Sequence, residues 1–318
     1  MTAFFVSVPL ISTPKFHKSS ADDRRKIRCG KKYLINIRNF VTEADAPDLT
    51  INKFYTSMKI AIIGAGAMGG AVASGLLRYG NNKYCISVSN PSSEPLERLA
   101  PLGAETTHDN KAAVRNADMV IIAVKPWILQ SVMEELKPAL DYTVQSVVVI
   151  AAGLTGAQMA EWLEKDSETK ASLLIAMPNT AVAVAQSMTF IVPVNADKNL
   201  ISEVEAVFSC LGETMVIDEA HLPAATALAS CGIAYAMRYV RAAVEGGVEL
   251  GFKATAAQKM VVQTLRGAAA LLAVDGAHPE SEIDKVTTPG GITIRGLNEM
   301  EHAGFTSAVI RGLKASVK

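Results

Sequence analysis

Three groups of residues have the types and spacing to do chemistry. The first is Ile63-Gly64-Ala65-Gly66-Ala67-Met68-Gly69. It follows a short apolar run, Lys59 to Ile63, and opens a stretch with helical spacing, Ala67 to Leu77. Glycine at the first position allows a tight turn, at the second it lets a pyrophosphate reach the backbone, and at the third it lets helix and strand pack closely. Free N–H groups at the helix start then face the phosphates. This is the pattern of a dinucleotide-binding turn. The second group is the end of the next apolar run, Ser87-Val88-Ser89-Asn90-Pro91. Proteins that bind NAD usually place a carboxylate there for the ribose 2′-hydroxyl. Neutral Ser89 and Asn90 donate hydrogen bonds instead and repel no 2′-phosphate, which favours NADPH and leaves NADH as the second choice. The third is Thr287-Thr288-Pro289-Gly290-Gly291-Ile292-Thr293. A rigid turn opening a helix leaves the N–H groups of Gly291, Ile292 and Thr293 unpaired, a site for a carboxylate. The Thr293 hydroxyl points into the same space. Composition alone leaves open the plainer reading of a threonine-capped helix start.

Two further turns fall where strands end. Ala123-Val124-Lys125-Pro126 stops a central strand, and Ala151-Ala152-Gly153 stops the next. Ligands of open α/β sheets bind at such strand ends, so Lys125 reads either as a contact to cofactor phosphate or ribose, or as a solvated lysine before proline. The five histidines and four cysteines show no metal-ligand spacing, and no metal is expected.

The elements that must position these groups are alternating strands and helices with short connections. Strands are expected at 59–63, 84–88, 119–124, 147–152, 173–177, 190–192 and 215–217. Helices are expected at 67–77, 95–100, 112–117, 128–136 and 158–165. The pattern is that of a Rossmann doubly wound, mostly parallel sheet. After about Asp218 it becomes all-α, with long helices over 222–250, 256–274 and 299–314. The expected domains are therefore 58–218, binding NADP, and 219–318, helical and carrying the Thr288–Thr293 site for substrate. No apolar stretch reaches the roughly 20 residues of a membrane span. Equal numbers of basic and acidic residues, 31 and 31, give no case for a nucleic-acid partner.

Residues 1–57 stand apart. They open with Phe4, Phe5 and Pro9, lack acids before Asp22, and turn basic over 15–32. They read as a plastid or mitochondrial transit peptide, as a disordered extension, or as sequence ahead of a true start at Met58, the protein then being cytoplasmic.

The sequence resembles the pyrroline-5-carboxylate reductase family. Thr288-Pro289-Gly290-Gly291-Ile292-Thr293, then Gly296-Leu297 and Glu301-His302-Ala303-Gly304-Phe305, is similar to its signature. Segments 63–68, 108–111, 123–126, 151–153, Met177-Pro178-Asn179-Thr180 and 246–251 agree in order and spacing. The resemblance implies NAD(P)H-dependent reduction of a cyclic imino acid, 1-pyrroline-5-carboxylate, to L-proline, by a homodimer or a ring of dimers, and it adds dimerisation to the helical domain 219–318. It implies that Ile63 to Gly69 hold the pyrophosphate, that Ser89 and Asn90 stand at the adenosine 2′ position and Asn110 at the adenosine end. It implies that Ala123 to Pro126 with Ala152 and Gly153 line the cofactor. Thr288 and Gly291 to Thr293 would hold the substrate carboxylate, with Thr293 catalytic near the imine nitrogen. Where the family has Ser-Gly-Ser-Gly-Pro-Ala-Tyr, this chain has Ala229-Ser230-Cys231-Gly232-Ile233-Ala234-Tyr235, and Asn-Thr-Pro has become Asn179-Thr180-Ala181. These departures keep a weakly catalytic nucleotide-binding protein in view. A β-hydroxyacid dehydrogenase shares the glycine turn, but its lysine-asparagine helix motif is absent.

Overall fold

The computed structural model describes residues 57–150, 153–165 and 168–317. Expectations for residues 1–56 and for Ala151 and Ala152 lie outside them. Eight strands form one sheet: β1 (Met58–Ile63), β2 (Tyr84–Ser89), β3 (Glu105–Thr107), β4 (Met119–Ile122), β5 (Ser146–Val149), β6 (Ser172–Met177), β7 (Ser187–Asn195) and β8 (Gly212–Val216). Their order is β3-β2-β1-β4-β5-β6-β7-β8. All neighbours run parallel except β6 and β7. The order reverses at β1, and the cofactor crevice of such sheets lies at that reversal.

The central strands are continuous apolar runs because helices cover both faces. Along β1 the side chains alternate: Ile60 and Ile62 join one core, Ala61 and Ile63 the other. One face packs against α1 (Ala67–Tyr79), α2 (Ser93–Leu99) and α6 (Lys198–Ser209), through Val72, Leu76, Leu96, Val204 and Phe208. The other packs against α3 (Asn110–Val114), α4 (Pro126–Leu136) and α5 (Gly156–Trp162), through Val114, Leu129, Met133 and Met159. Each such aliphatic side chain contributes about 1.5–3 kcal/mol. The helix starts are fixed locally. Asp109 accepts the N–H groups of Lys111 and Ala112, Asp197 that of Leu200, and Thr155 forms a capping box with Gln158.

Beyond the sheet lie α7 (Leu222–Ala225), a π-helical segment (Thr226–Cys231), α8 (Gly232–Glu249), α9 (Ala254–Leu272), α10 (Pro279–Lys285), α11 (Ile292–His302) and α12 (Phe305–Ala315). Two expectations change here. The helix over 222–250 is interrupted by the π segment, which covers the Ala229-Ser230-Cys231 departure. The last helix, expected as one, is two, because Gly304 takes φ +80° and breaks the ladder. Leu222 and Ala225 of α7 join the sheet's core. From α8 onward, Ala257 is buried, while Met237, Leu250, Leu271 and Ile310 are among many exposed apolar residues.

Candidate functional site

The glycine turn is built as its spacing requires. Gly64 takes φ +96°, and a Cβ there would lie 2.7 Å from the Ala123 carbonyl oxygen. A Cβ on Gly69 would lie 1.9 Å from the Gly64 carbonyl oxygen, so strand end and helix start touch. Gly66, by contrast, has nothing within 4 Å of its Cβ position. It precedes a helix start with no side-chain cap and no acid in the first turn. Open space against unpaired N–H groups fits a pyrophosphate. Ile63, Gly64, Ala65 and Gly69 are buried, Met68 is half-buried, and Gly66 and Ala67 are exposed to that space.

At the end of β2, Gly64 N–H donates to the Ser89 carbonyl at 2.8 Å. Ala65 N–H donates to Asn90 Oδ1 at 3.0 Å, and Asn90 Nδ2 donates to the Ser92 carbonyl at 3.1 Å. His108 Nδ1 contacts the Asn90 carbonyl at 2.8 Å. The expectation that Ser89 faces a 2′-phosphate is corrected. Its side chain is fully buried, and its hydroxyl donates to Asn110 Oδ1. Asn110 is in turn held by Nδ2 to Glu135 Oε2 at 3.0 Å. Among the described residues, one amide proton of Asn90 meets no partner; its other groups hold the loop.

The remaining cofactor candidates share this edge. Ala123, Val124 and Pro126 are half-buried beside the glycine turn, and Gly153 is exposed with φ +84°. Lys125 is exposed, and its ammonium lies 5.8 Å from the centre of the Trp127 ring. Trp127 is 79% exposed beside these candidates, a feature that sequence reasoning passed over.

The Thr288–Thr293 turn stands elsewhere on the chain. Gly290 takes φ +71°, and α11 starts at Gly291 with no side-chain cap. One detail is corrected: Gly291 N–H is not free but donates to the Thr288 carbonyl at 3.0 Å. A Cβ on Gly291 would lie 2.6 Å from Thr288 Oγ1, so the turn closes around that hydroxyl. The N–H groups of Ile292 and Thr293 head the helix, and Thr288, Ile292 and Thr293 are exposed, Ile292 to 85%. The hydrogen bonds of the turn stay within the helical region: Thr287 Oγ1 to Ile283 O at 2.7 Å and Arg295 Nη2 to Gly290 O at 3.2 Å. Within one chain the turn is therefore an open ledge, not a closed pocket.

Two residues that sequence reasoning did not assign to the site join the sheet to the first helical residues beyond it. Asn179, at the end of β6, is buried and bonded to Ser187, Ala181 and Ala229. Glu219 reaches the start of α5, its Oε1 accepting the Gly156 N–H at 2.9 Å. No local signal marks Glu219, because its partner lies 63 positions away.

Comparison with known proteins fits this geometry. Residues 219–318 match the model for pyrroline-5-carboxylate reductase dimerisation, and residues 59–151 that for NADP oxidoreductase, coenzyme F420-dependent. Pyrroline-5-carboxylate reductase 2 of Dictyostelium discoideum is 37% identical, over 86% of this chain and 94% of that protein. Pyrroline-5-carboxylate reductase 1 of the same organism is 38% identical over 81% of this chain, which spans about half (48%) of that relative's length. The solved pyrroline-5-carboxylate reductase of Coxiella burnetii superposes with a TM-score of 0.74 at 30% identity, covering 82% of this chain and 96% of that one. Sheet, glycine turn and relatives together define a Rossmann-type NAD(P)H-dependent oxidoreductase, with oligomerisation assigned to its C-terminal helices. The chain belongs to the pyrroline-5-carboxylate reductase family.

Proposed function

We propose that this chain reduces the C=N bond of 1-pyrroline-5-carboxylate to give L-proline, with NADPH preferred over NADH. The observation that carries the substrate is the uncapped start of α11. There the Ile292 and Thr293 N–H groups head an exposed helix start, whose positive dipole end suits a carboxylate, and the exposed Thr293 supplies a hydroxyl beside them. In this reading the unit over 58–218 holds the dinucleotide and that over 219–318 holds the substrate.

Gly66 and the first turn of α1 would hold the pyrophosphate, and Asn90, through its free amide proton, the adenosine ribose side. Ala123 to Pro126 and Ala152 to Gly153 would line the cofactor further along. A bound reduced nicotinamide supplies the hydride. The chain's own part is positioning and exclusion of water. Thr288 closes the turn, the α11 N–H groups fix the carboxylate, and Thr293 Oγ1 holds a hydrogen bond at the imine nitrogen. A cyclic imine that carries its proton at neutral pH is already electrophilic, so no strong acid is required of the protein.

A homodimer completes the site. Ile292 and the apolar faces of α8, α9 and α12 are exposed in one chain, and a second copy covers them. The deciding assay is NADPH oxidation with 1-pyrroline-5-carboxylate, set beside NADP reduction with a β-hydroxyacid. Activity in the first alone supports the reading. Activity only in the second, or cofactor binding without either, removes it.

A further inference from the structure

The cofactor edge and the substrate-bearing helices belong to different parts of the chain, so hydride transfer needs them held at a fixed distance. Leu222 and Ala225 join the sheet's core, and among the described residues side-chain hydrogen bonds add two directional ties. At the first, Glu219, just before α7, accepts the Gly156 N–H through Oε1 at 2.9 Å. Gly156 opens α5, two residues beyond the β5 turn that carries Gly153 and Leu154. A Cβ on Gly156 would lie 2.9 Å from Glu219 Oε2 and 2.5 Å from Val194, so the approach requires glycine. At the second, Asn179 Nδ2 donates to the Ala229 carbonyl at 3.3 Å, inside the π segment. Asn179 is buried, and its remaining groups are committed to the sheet side: N–H to Ser187 Oγ at 3.1 Å, and Oδ1 to Ala181 N–H at 3.0 Å. A π turn widens the helix and turns carbonyls away from the usual ladder. Asn179 meets one of these from the strand end.

We infer that Asn179 and Glu219 are positioning residues, a two-point lock that holds the entry of the helical region, at Glu219 and in the π segment, against the cofactor edge of the sheet, and through it the dimer scaffold that carries the substrate turn. The inference rests on the proposed reduction for its kinetic readout, and on the hydrogen bonds alone for its structural one. The lock acts on distance, not on binding, so it governs the hydride step more than cofactor affinity.

The test uses the full-length chain with Glu219→Ala, Glu219→Gln, Asn179→Ala and Asn179→Asp. Steady-state rates, NADPH KM, the primary isotope effect with C4-deuterated NADPH and backbone hydrogen exchange are measured for each. Glu219→Ala and Asn179→Ala should lower kcat about tenfold or more, raise the isotope effect, and leave NADPH KM within about threefold. Glu219→Gln should keep near wild-type values, because an amide oxygen still accepts from Gly156. Asn179→Asp should not rescue, because a carboxylate has no proton for Ala229. An unchanged isotope effect, or Glu219→Gln as damaged as Glu219→Ala, overturns the lock. If the wild-type chain does not reduce the imine, the proposed function falls, and exchange decides the lock by itself. Glu219→Ala should then speed exchange at Gly156, and Asn179→Ala in 226–232, while unchanged exchange overturns it.

Discussion

The side-chain oxygen of Asn90 accepts the backbone N–H of Ala65 at 3.0 Å, joining the end of β2 to the glycine turn 25 positions earlier. The residue expected to touch the adenosine ribose thus also shapes the phosphate loop. Two substitutions separate these roles. Asn90→Ala loses the acceptor and should weaken NADPH and NADH alike, by roughly fivefold for about 1 kcal/mol of hydrogen bond. Asn90→Asp keeps the acceptor but adds a carboxylate, and should weaken NADPH roughly tenfold more than NADH, about 1.4 kcal/mol. Fluorescence titration with both cofactors checks this, and an equal loss from Asn90→Asp would remove the 2′-phosphate assignment.

Thr293 carries the proposed contact to the imine nitrogen, from an exposed position heading α11. Thr293→Ala should lower kcat by about tenfold while NADPH affinity stays near wild type. Steady-state kinetics beside a direct binding titration give the answer; unchanged turnover takes Thr293 out of the mechanism.

Gly69 faces the Gly64 carbonyl so closely that a methyl group has no room. Gly69→Ala should cost about 3 kcal/mol of stability and abolish NADPH binding, since the loop must shift to admit the Cβ. A urea melt with wild-type midpoint and intact binding would contradict the close-packed reading of this turn.

Tyr142 donates its hydroxyl to the Leu163 carbonyl at 2.5 Å, and burial pushes its phenol up to about 12 from an ordinary 10. The folded state then holds the proton more tightly than the unfolded one. Its contribution to stability is complete below pH 10 and is lost as pH rises towards 12. Urea melts between those limits should show declining stability, and Tyr142→Phe should flatten that slope. A slope unaltered by the substitution would place its origin elsewhere.

Met237 on α8 is 65% exposed in one chain. If a second copy covers it, Met237→Arg buries an unpaired charge, and the dimer should loosen at least about 100-fold. Sedimentation velocity would show monomer at micromolar concentration, with turnover falling in parallel. A dimer of wild-type strength would put the interface on another face.

The sheet was legible where burial on both faces demands unbroken apolar runs, as in Ile60 to Ile63 and Met119 to Ile122. β3 escaped because its three residues, Glu105, Thr106 and Thr107, are polar and poorly buried, and exist as a strand through pairing with β2. The helix α6 was readable in principle, from Asp197 as cap and Val204, Val207 and Phe208 on one face. The glycine turn was legible because Gly64 and Gly69 each answer a local steric demand, while Gly66 faces open space. Ser89 misled because its residue type suits a ligand while its burial, set by Asn110, is a tertiary fact. The same holds for Asn179 and Glu219, whose partners arrive from distant parts of the chain.

The π segment over Thr226–Cys231 holds one residue more than an ordinary helix would need there. Each residue of an α-helix advances about 100° and 1.5 Å. A π turn fits one extra residue into nearly the same rotation, so removing one residue here would let an ordinary helix run from α7 into α8 with α8 facing almost as before, and would return the Ala229 carbonyl that Asn179 now meets to the helical ladder. Tyr235, which meets Ser316 and the Gly312 carbonyl on α12, would keep its direction. The extra residue therefore serves the junction with the sheet, through the carbonyl that Asn179 meets, and not the facing of α8.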